Sequence, residues 1–146
     1  MGHKNSAVIF AALILLVAGN AFSAPAYRLH SSISQFSELR FLWETTNYFI
    51  RIDDMGNNSY RYSVWPVGST QSDEPDLVLY GGIMVLDGTG GNHHYVFTND
   101  EYSYRCDAHY LTDGLQPPGT LVVYRNSEEI LREDVVKESH NFMIDS

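Results

Sequence analysis

Three histidines and a series of acidic turns are the residues best able to do chemistry. His93 and His94 are adjacent, so in a strand their imidazoles point to opposite faces and cannot easily hold one ion together. His109 lies on the polar face of the alternating run Tyr102–Tyr110, beside Arg105 and Asp107. If 94–98 and 102–110 pair around a turn at 99–101, His109 and Asp107 fall near the 93/94 end. With one of the two histidines they would form a zinc ligand set. Zinc needs three or four ligands at ~2.0–2.2 Å, and no compact ligand spacing of the known kinds is present. Solvent-facing strand histidines are therefore the expectation, with no metal and no cofactor assigned. The acids group as Asp53/Asp54, Asp73/Glu74/Asp76, Asp100/Glu101 and Glu128/Glu129. All sit at turn signals, where water carries their charge cheaply. A hydrolytic carboxylate pair needs a cleft holding the two groups ~5–9 Å apart, and a chain of 146 residues has little room for one. The run Ser69–Asp76 lacks the spacing of a helix–loop–helix calcium loop. The glycines of Asp87-Gly-Thr-Gly-Gly91 are followed by a strand pattern and no nearby Lys, so they read as a tight turn rather than a phosphate cradle. Neither Gly-x-Ser-x-Gly nor His-Glu-x-x-His occurs. No catalytic residue is assigned, and the chain reads as noncatalytic.

Charge narrows the partners. Lys and Arg number 9 against 18 Asp and Glu, a net charge of −9. Nucleic-acid binding needs a basic footprint, and docking on anionic lipid needs the same. A basic protein, a neutral glycan or a cation fits better. The chain also carries ten Tyr and two Trp, residue types that bury area while keeping a polar handle. Trp65 stands where a strand enters the polar loop Pro66–Pro75. The candidate binding surface is Trp65 as apolar anchor, Asp73 and Glu74 as attraction for a basic partner, and His93, His94 and His109 as polar contacts. The expected function is recognition of a macromolecule, foremost a protein and including inhibition of an enzyme, through loops at one end of a sheet. The alternatives are a carbohydrate-binding module, which needs exposed coplanar aromatics, and a small metal-dependent hydrolase at His93, His94 and His109.

The elements that must position these residues are strands. Residues 1–23 read as a signal peptide. Ala7–Gly19 is an unbroken apolar run of 13 residues, short of the ~20 that span a bilayer, and small residues at Ala21 and Ser23 precede the expected cut. The expected location is secreted or periplasmic, without a stable membrane anchor. Cys106 is the single cysteine, so no intrachain disulfide is possible and a buried thiol is expected. Residues 24–37 read as a linker or a short helix around Ser32–Leu39, 38–137 as an all-β domain, and 138–146 as a polar, frayed tail. Period-2 alternation places Leu39, Phe41 and Trp43 on one face, then Tyr48, Ile50 and Ile52, then Tyr60, Tyr62 and Val64. A hairpin joins 48–53 to 59–65 through Asp54–Asn58. Short strands follow at Leu77–Tyr80 and Ile83–Leu86, separated by Gly81-Gly82. A second hairpin joins His94–Thr98 to Tyr102–Tyr110, and a third joins Thr120–Tyr124 to Ile130–Val136 around Asn126–Glu129. About eight short strands at this spacing give an antiparallel meander, either a small barrel or a two-layer sandwich.

Three stretches together carry a resemblance: Tyr60–Trp65 running on to Ser72–Leu79, Gly88–Phe97 with Tyr102–Tyr104, and Gly119–Tyr124. Over roughly residues 45–136 the chain resembles a group of small exported bacterial proteins of unknown function. The resemblance implies an envelope or secreted setting and supplies no activity or site residue. The all-β, exported character is also similar to that of periplasmic lysozyme inhibitors, whose paired cysteines this chain lacks.

Overall fold

The computed structural model describes residues 28–110 and 114–139; the expected signal peptide lies outside them. After a 3-10 turn at Ser31–Ile33 come nine strands: β1 Glu38–Glu44, β2 Tyr48–Gly56, β3 Ser59–Pro66, β4 Leu77–Leu86, β5 His93–Asn99, β6 Tyr102–Ala108, β7 Gly119–Arg125, β8 Glu128–Asp134 and β9 Lys137–Ser139. They form one antiparallel sheet in the order β8-β7-β6-β5-β4-β3-β2-β1-β9. The all-β meander is as the alternation predicts, and the architecture is a single curled half-barrel sheet. Curling is visible in the core. Phe41 on β1 lies 5.8 Å, ring to ring, from Tyr95 on β5, although four strand spacings of a flat sheet would separate them by ~19 Å.

The inner face collects every second side chain. Phe41, Trp43, Ile50, Ile52, Tyr60, Tyr62, Tyr95, Phe97, Cys106 and Leu121 are all buried there. Aromatic rings meet across non-neighbouring strands, with Tyr62 on Phe97 at 5.4 Å and on Tyr104 at 5.4 Å. Such pairs add about 0.5–1.5 kcal/mol each beyond the area they bury, which helps a fold that has no covalent staple.

Several elements differ from expectation. Two hairpin turns are tighter than the loops read at 54–58 and 126–129. Asn57 and Asn58 both have positive φ, as do Asn126 and Ser127. Two such residues make the turn whose twist matches its flanking strands, so the ladders run further than turn-forming composition suggests. The glycines at 81 and 82 do not end a strand. β4 continues through them with a bulge, since Tyr60 and Tyr62 pair with Gly82 and Leu79. Gly81 takes the left-handed conformation at φ 74°, and a Cβ on Gly82 would sit inside the Phe97 ring. No helix forms over Ser32–Leu39; the segment is one 3-10 turn, and β1 begins at Glu38.

The expected strand 130–136 ends at Asp134 as β8, and after Val135 and Val136 a further short strand, β9, begins at Lys137. β8 pairs with β7, whereas β9 pairs with β1. Val135 N donates to Gly119 O and Val136 N to Glu44 O, both within 2.9 Å, so one ribbon bonds to both borders of the sheet. Residues 138 and 139, expected in a frayed tail, are ordered by this pairing. Trp43 Nε1 donates to Glu138 Oε2 at 2.7 Å.

The outer face carries a separate roof on one half only, although Thr120 and Val122 of β7 are also buried on the other half. Residues 30–37 and the loop 66–76 roof β2 and β3. Beneath the roof, Asp53 accepts from Arg51 Nε at 2.9 and 3.0 Å and from Arg61 Nη2 at 2.7 Å. Arg61 also donates to the carbonyls of Ser32, Ile33 and Gln35 at 3.0–3.3 Å. Arg51 donates to Gln71 and lies over the Phe36 ring. A buried guanidinium must find acceptors for its hydrogens, and here Asp53 and the roof together supply most of them.

Candidate functional site

The six residues singled out from the sequence do not share a surface. Trp65 lies near the end of β3 and Asp73 and Glu74 in the β3–β4 connection, whereas His93, His94 and His109 flank the β4–β5 turn and the end of β6. The ten residues of β4 separate the two groups, about 30 Å at the usual strand rise. Trp65 is fully buried under the roof, stacked on Phe49 at 5.3 Å, and its Nε1 donates to Asp73 O at 2.9 Å. It cannot serve as an exposed anchor or sugar platform in this state. The Asp73 carboxylate accepts from Thr70 N at 2.8 Å and so braces its own loop. His93 is also buried, on the inner face, with its ring 5.3 Å from Tyr95 and 5.4 Å from Tyr110. Its Nδ1 lies 2.9 Å from Gly91 O. His109 Nδ1 lies 3.0 Å from Pro117 O, within the β6–β7 connection.

His94 behaves differently. It lies on the outer face directly across from Asp107 on β6. A turn spanning 99–101 would have set His94 opposite Cys106. The actual connection uses only Asp100 and Glu101, Asn99 pairs with Tyr102, and the register moves by one residue. A shift of one residue exchanges faces, which is why Asp107 joins His94; His109 lies past the end of β6 and turns to the Pro117 carbonyl instead. The third member, Asp87, opens the Asp87–Gly91 stretch that the sequence reads only as a tight turn. That turn folds back so that Asp87 N donates to Asn92 O at 2.8 Å. It brings the Asp87 carboxylate oxygens within 2.8 and 2.9 Å of His94 Nδ1. Since a carboxylate has no proton to give, His94 Nδ1 is the donor. One ligand atom from each of Asp87, His94 and Asp107 lies within 4.8 Å of the other two. Arg105 Nε holds Asp107 Oδ1 at 2.8 Å. Asp107 lies across this face from Thr120, whose Oγ1 donates to Asp134 at 3.1 Å.

The same uncovered half carries exposed apolar side chains. Tyr80 is 59% and Ile83 55% exposed, and Val85 is also open. Ile83 and Val85 are two apart on one strand and so share a face. Tyr80 stands at the bulge, its hydroxyl 3.3 Å from Ser32 O at the margin of the roof. The signal in the sequence was the run Leu77–Leu86, which lacks the polar alternate positions seen in β2 and β3.

Nucleophilic chemistry has little footing at the cysteine. Cys106 is fully buried, and burial pushes its thiol well above the ordinary range, so the reactive thiolate is suppressed. Burial likewise raises the Tyr62 hydroxyl, with proximity to Cys106 adding to it. Among the described residues no helix is long and apolar enough to cross a membrane. Compared with protein-family models, with curated proteins and with solved structures, the chain matches none of them.

Proposed function

We propose that this is an exported, noncatalytic binding protein that recognises a basic protein partner through the outer face of β4 and β5. The observation that carries the reading is the line Tyr80, Ile83 and Val85, left bare where the roof over β2 and β3 stops. Contiguous apolar side chains on an otherwise polar surface mark interaction sites. Ile83 pairs across the sheet with the partly buried Val96, and Val85 with His94, so the strip broadens onto β5. Charge selects the partner: a net charge of −9 favours encounter with a basic surface and disfavours an acidic one.

Magnitudes set the strip's role. About half of each of the three side chains remains to be buried, which contributes roughly 2–5 kcal/mol in total. Association costs about 4–15 kcal/mol in lost freedom. The strip is therefore the centre of an interface, and polar contacts around it must supply the rest. Asp87 and Arg105 are placed to do so.

The test is retention of basic proteins from a secreted-protein fraction on the immobilised chain, compared with the double variant Ile83→Lys, Val85→Lys. The expected result is a basic protein held at low salt, weakened at high salt and lost with the double variant, whose circular dichroism is unchanged. Equal retention by the variant, or no retained basic protein, would overturn the reading.

A further inference from the structure

Two separate features of the backbone bring Asp87, His94 and Asp107 together: the β4–β5 turn that folds Asp87 back over β5, and the β5–β6 register that sets Asp107 opposite His94. The His94 side chain is only 11% exposed, so its ring is held in place rather than sampling solvent. Asp107 is anchored through Oδ1 by Arg105, and among the described residues no hydrogen bond restrains Oδ2. Holding a carboxylate by one oxygen while the other stays available is how neighbouring groups orient metal ligands.

We propose that Asp87, His94 and Asp107 bind one divalent transition-metal ion of the zinc class, through one oxygen from each carboxylate and through His94 Nδ1, whose hydrogen, now given to Asp87, passes through water to Nε2 as the metal takes its place. At metal–ligand bonds of ~2.0–2.2 Å, tetrahedral ligand atoms stand roughly 3.3 Å apart. The Asp87–His94 contact, now 2.8 Å, opens by about half an ångström, and Asp107, a ligand atom of which lies within 4.8 Å of one from each of the other two residues, swings inward to complete the set. His94 and Asp107 stand on paired strands and Asp87 in the turn that follows β4, so both movements fall to side-chain torsions. One imidazole nitrogen with two carboxylate oxygens suits zinc and its neighbours; calcium would demand six to eight oxygens. Two carboxylates against one guanidinium leave the cluster net negative before the ion arrives. Three protein ligands leave a coordination position on the solvent side, where Asp87 is exposed. The proposal does not rest on the partner reading.

The experiment is calorimetric titration of the purified protein with zinc chloride, with the imidazole resonances followed by NMR. The expected result is one equivalent bound, with His94 the imidazole that moves. His94→Ala, Asp87→Asn and Asp107→Asn each weaken binding at least about tenfold, and His109→Gln leaves it unchanged. A tenfold excess of magnesium or calcium does not displace the zinc. The two Asp→Asn variants preserve shape, so they carry the test if His94→Ala disturbs folding. No saturable uptake up to about 1 mM zinc, or uptake that survives His94→Ala and Asp107→Asn, would overturn the proposal.

Discussion

Asp53→Asn probes how the roofed half of the sheet is held. Asp53 is completely buried and faces two guanidiniums, with Arg51 Nη2 at 2.8 Å and Arg61 Nη2 at 2.7 Å. Asparagine keeps the shape but loses the charge, and it turns an amide hydrogen toward a cation. Two positive groups then stay buried, with only neutral oxygens of Gln71, Ser32, Ile33 and Gln35 around them. Removing one partner from a buried ion pair costs about 3–5 kcal/mol, a large part of the roughly 5–15 kcal/mol that holds a domain of this size. At about 4 °C per kcal/mol, the melting temperature falls by about 12–20 °C. Urea unfolding followed by circular dichroism measures the loss, with Asp54→Asn as control. Asp54 accepts from Gly56 N at 2.8 Å, a bond that asparagine keeps, so the control changes stability by less than about 1 kcal/mol. A loss below about 1 kcal/mol for Asp53→Asn would refute the reasoning. It would mean that water reaches Arg51 and Arg61 and that the roof does not seal them.

Two further outcomes follow from the inner face. Gly82→Ala drives a methyl into the buried Phe97 ring and destabilises the protein by about 1–3 kcal/mol; adding Phe97→Leu recovers part of that loss in the same urea assay, and an unchanged midpoint for Gly82→Ala would show that the ring has room to move. High pH also unfolds the protein: the hydroxyl of Tyr62 and the thiol of Cys106 are raised by burial above their ordinary values of 10.0 and 9.0, so the unfolded chain loses protons that the folded chain keeps. Stability is complete below about pH 9 and falls above it, by up to about 1.4 kcal/mol per pH unit for each group. Cys106→Ala should flatten the first part of that decline in urea midpoints taken from pH 8 to 11, and a decline of equal slope in this variant would remove the thiol from the account.

The strands were legible because the inner face is so regular. Ile50, Ile52, Tyr60, Tyr62 and Val64 all fall where alternation puts them, and water must be excluded from each. What alternation does not carry is the length of a turn. Asn and Ser in the left-handed region shorten two hairpins, and the two-residue turn at Asp100-Glu101 moves β6 by one position against β5. That single step decides which acid stands beside His94. The burial of Trp65 was illegible for another reason. Its strand alternates apolar inside with Arg61, Ser63 and Trp65 outside, as for a solvated face, yet the roof is made by residues 30–37 and 66–76, distant in sequence and without regular period. Asp87 was hidden by its turn, where an acid is ordinarily only a solubilising residue.

Among the described residues, the ribbon that reaches both borders of the sheet leaves β8 with one margin of peptide groups unpaired. That margin would invite a strand from another molecule, the step that begins ordered aggregation. Five of its seven residues, Glu128, Glu129, Arg132, Glu133 and Asp134, carry charge. A second copy aligning there would have to strip water from a row of ionic groups, four of them of one sign. The apolar pair Ile130 and Leu131 is thereby flanked on both sides by groups that keep identical molecules apart, so the sheet can remain unzipped along this seam without recruiting its own kind.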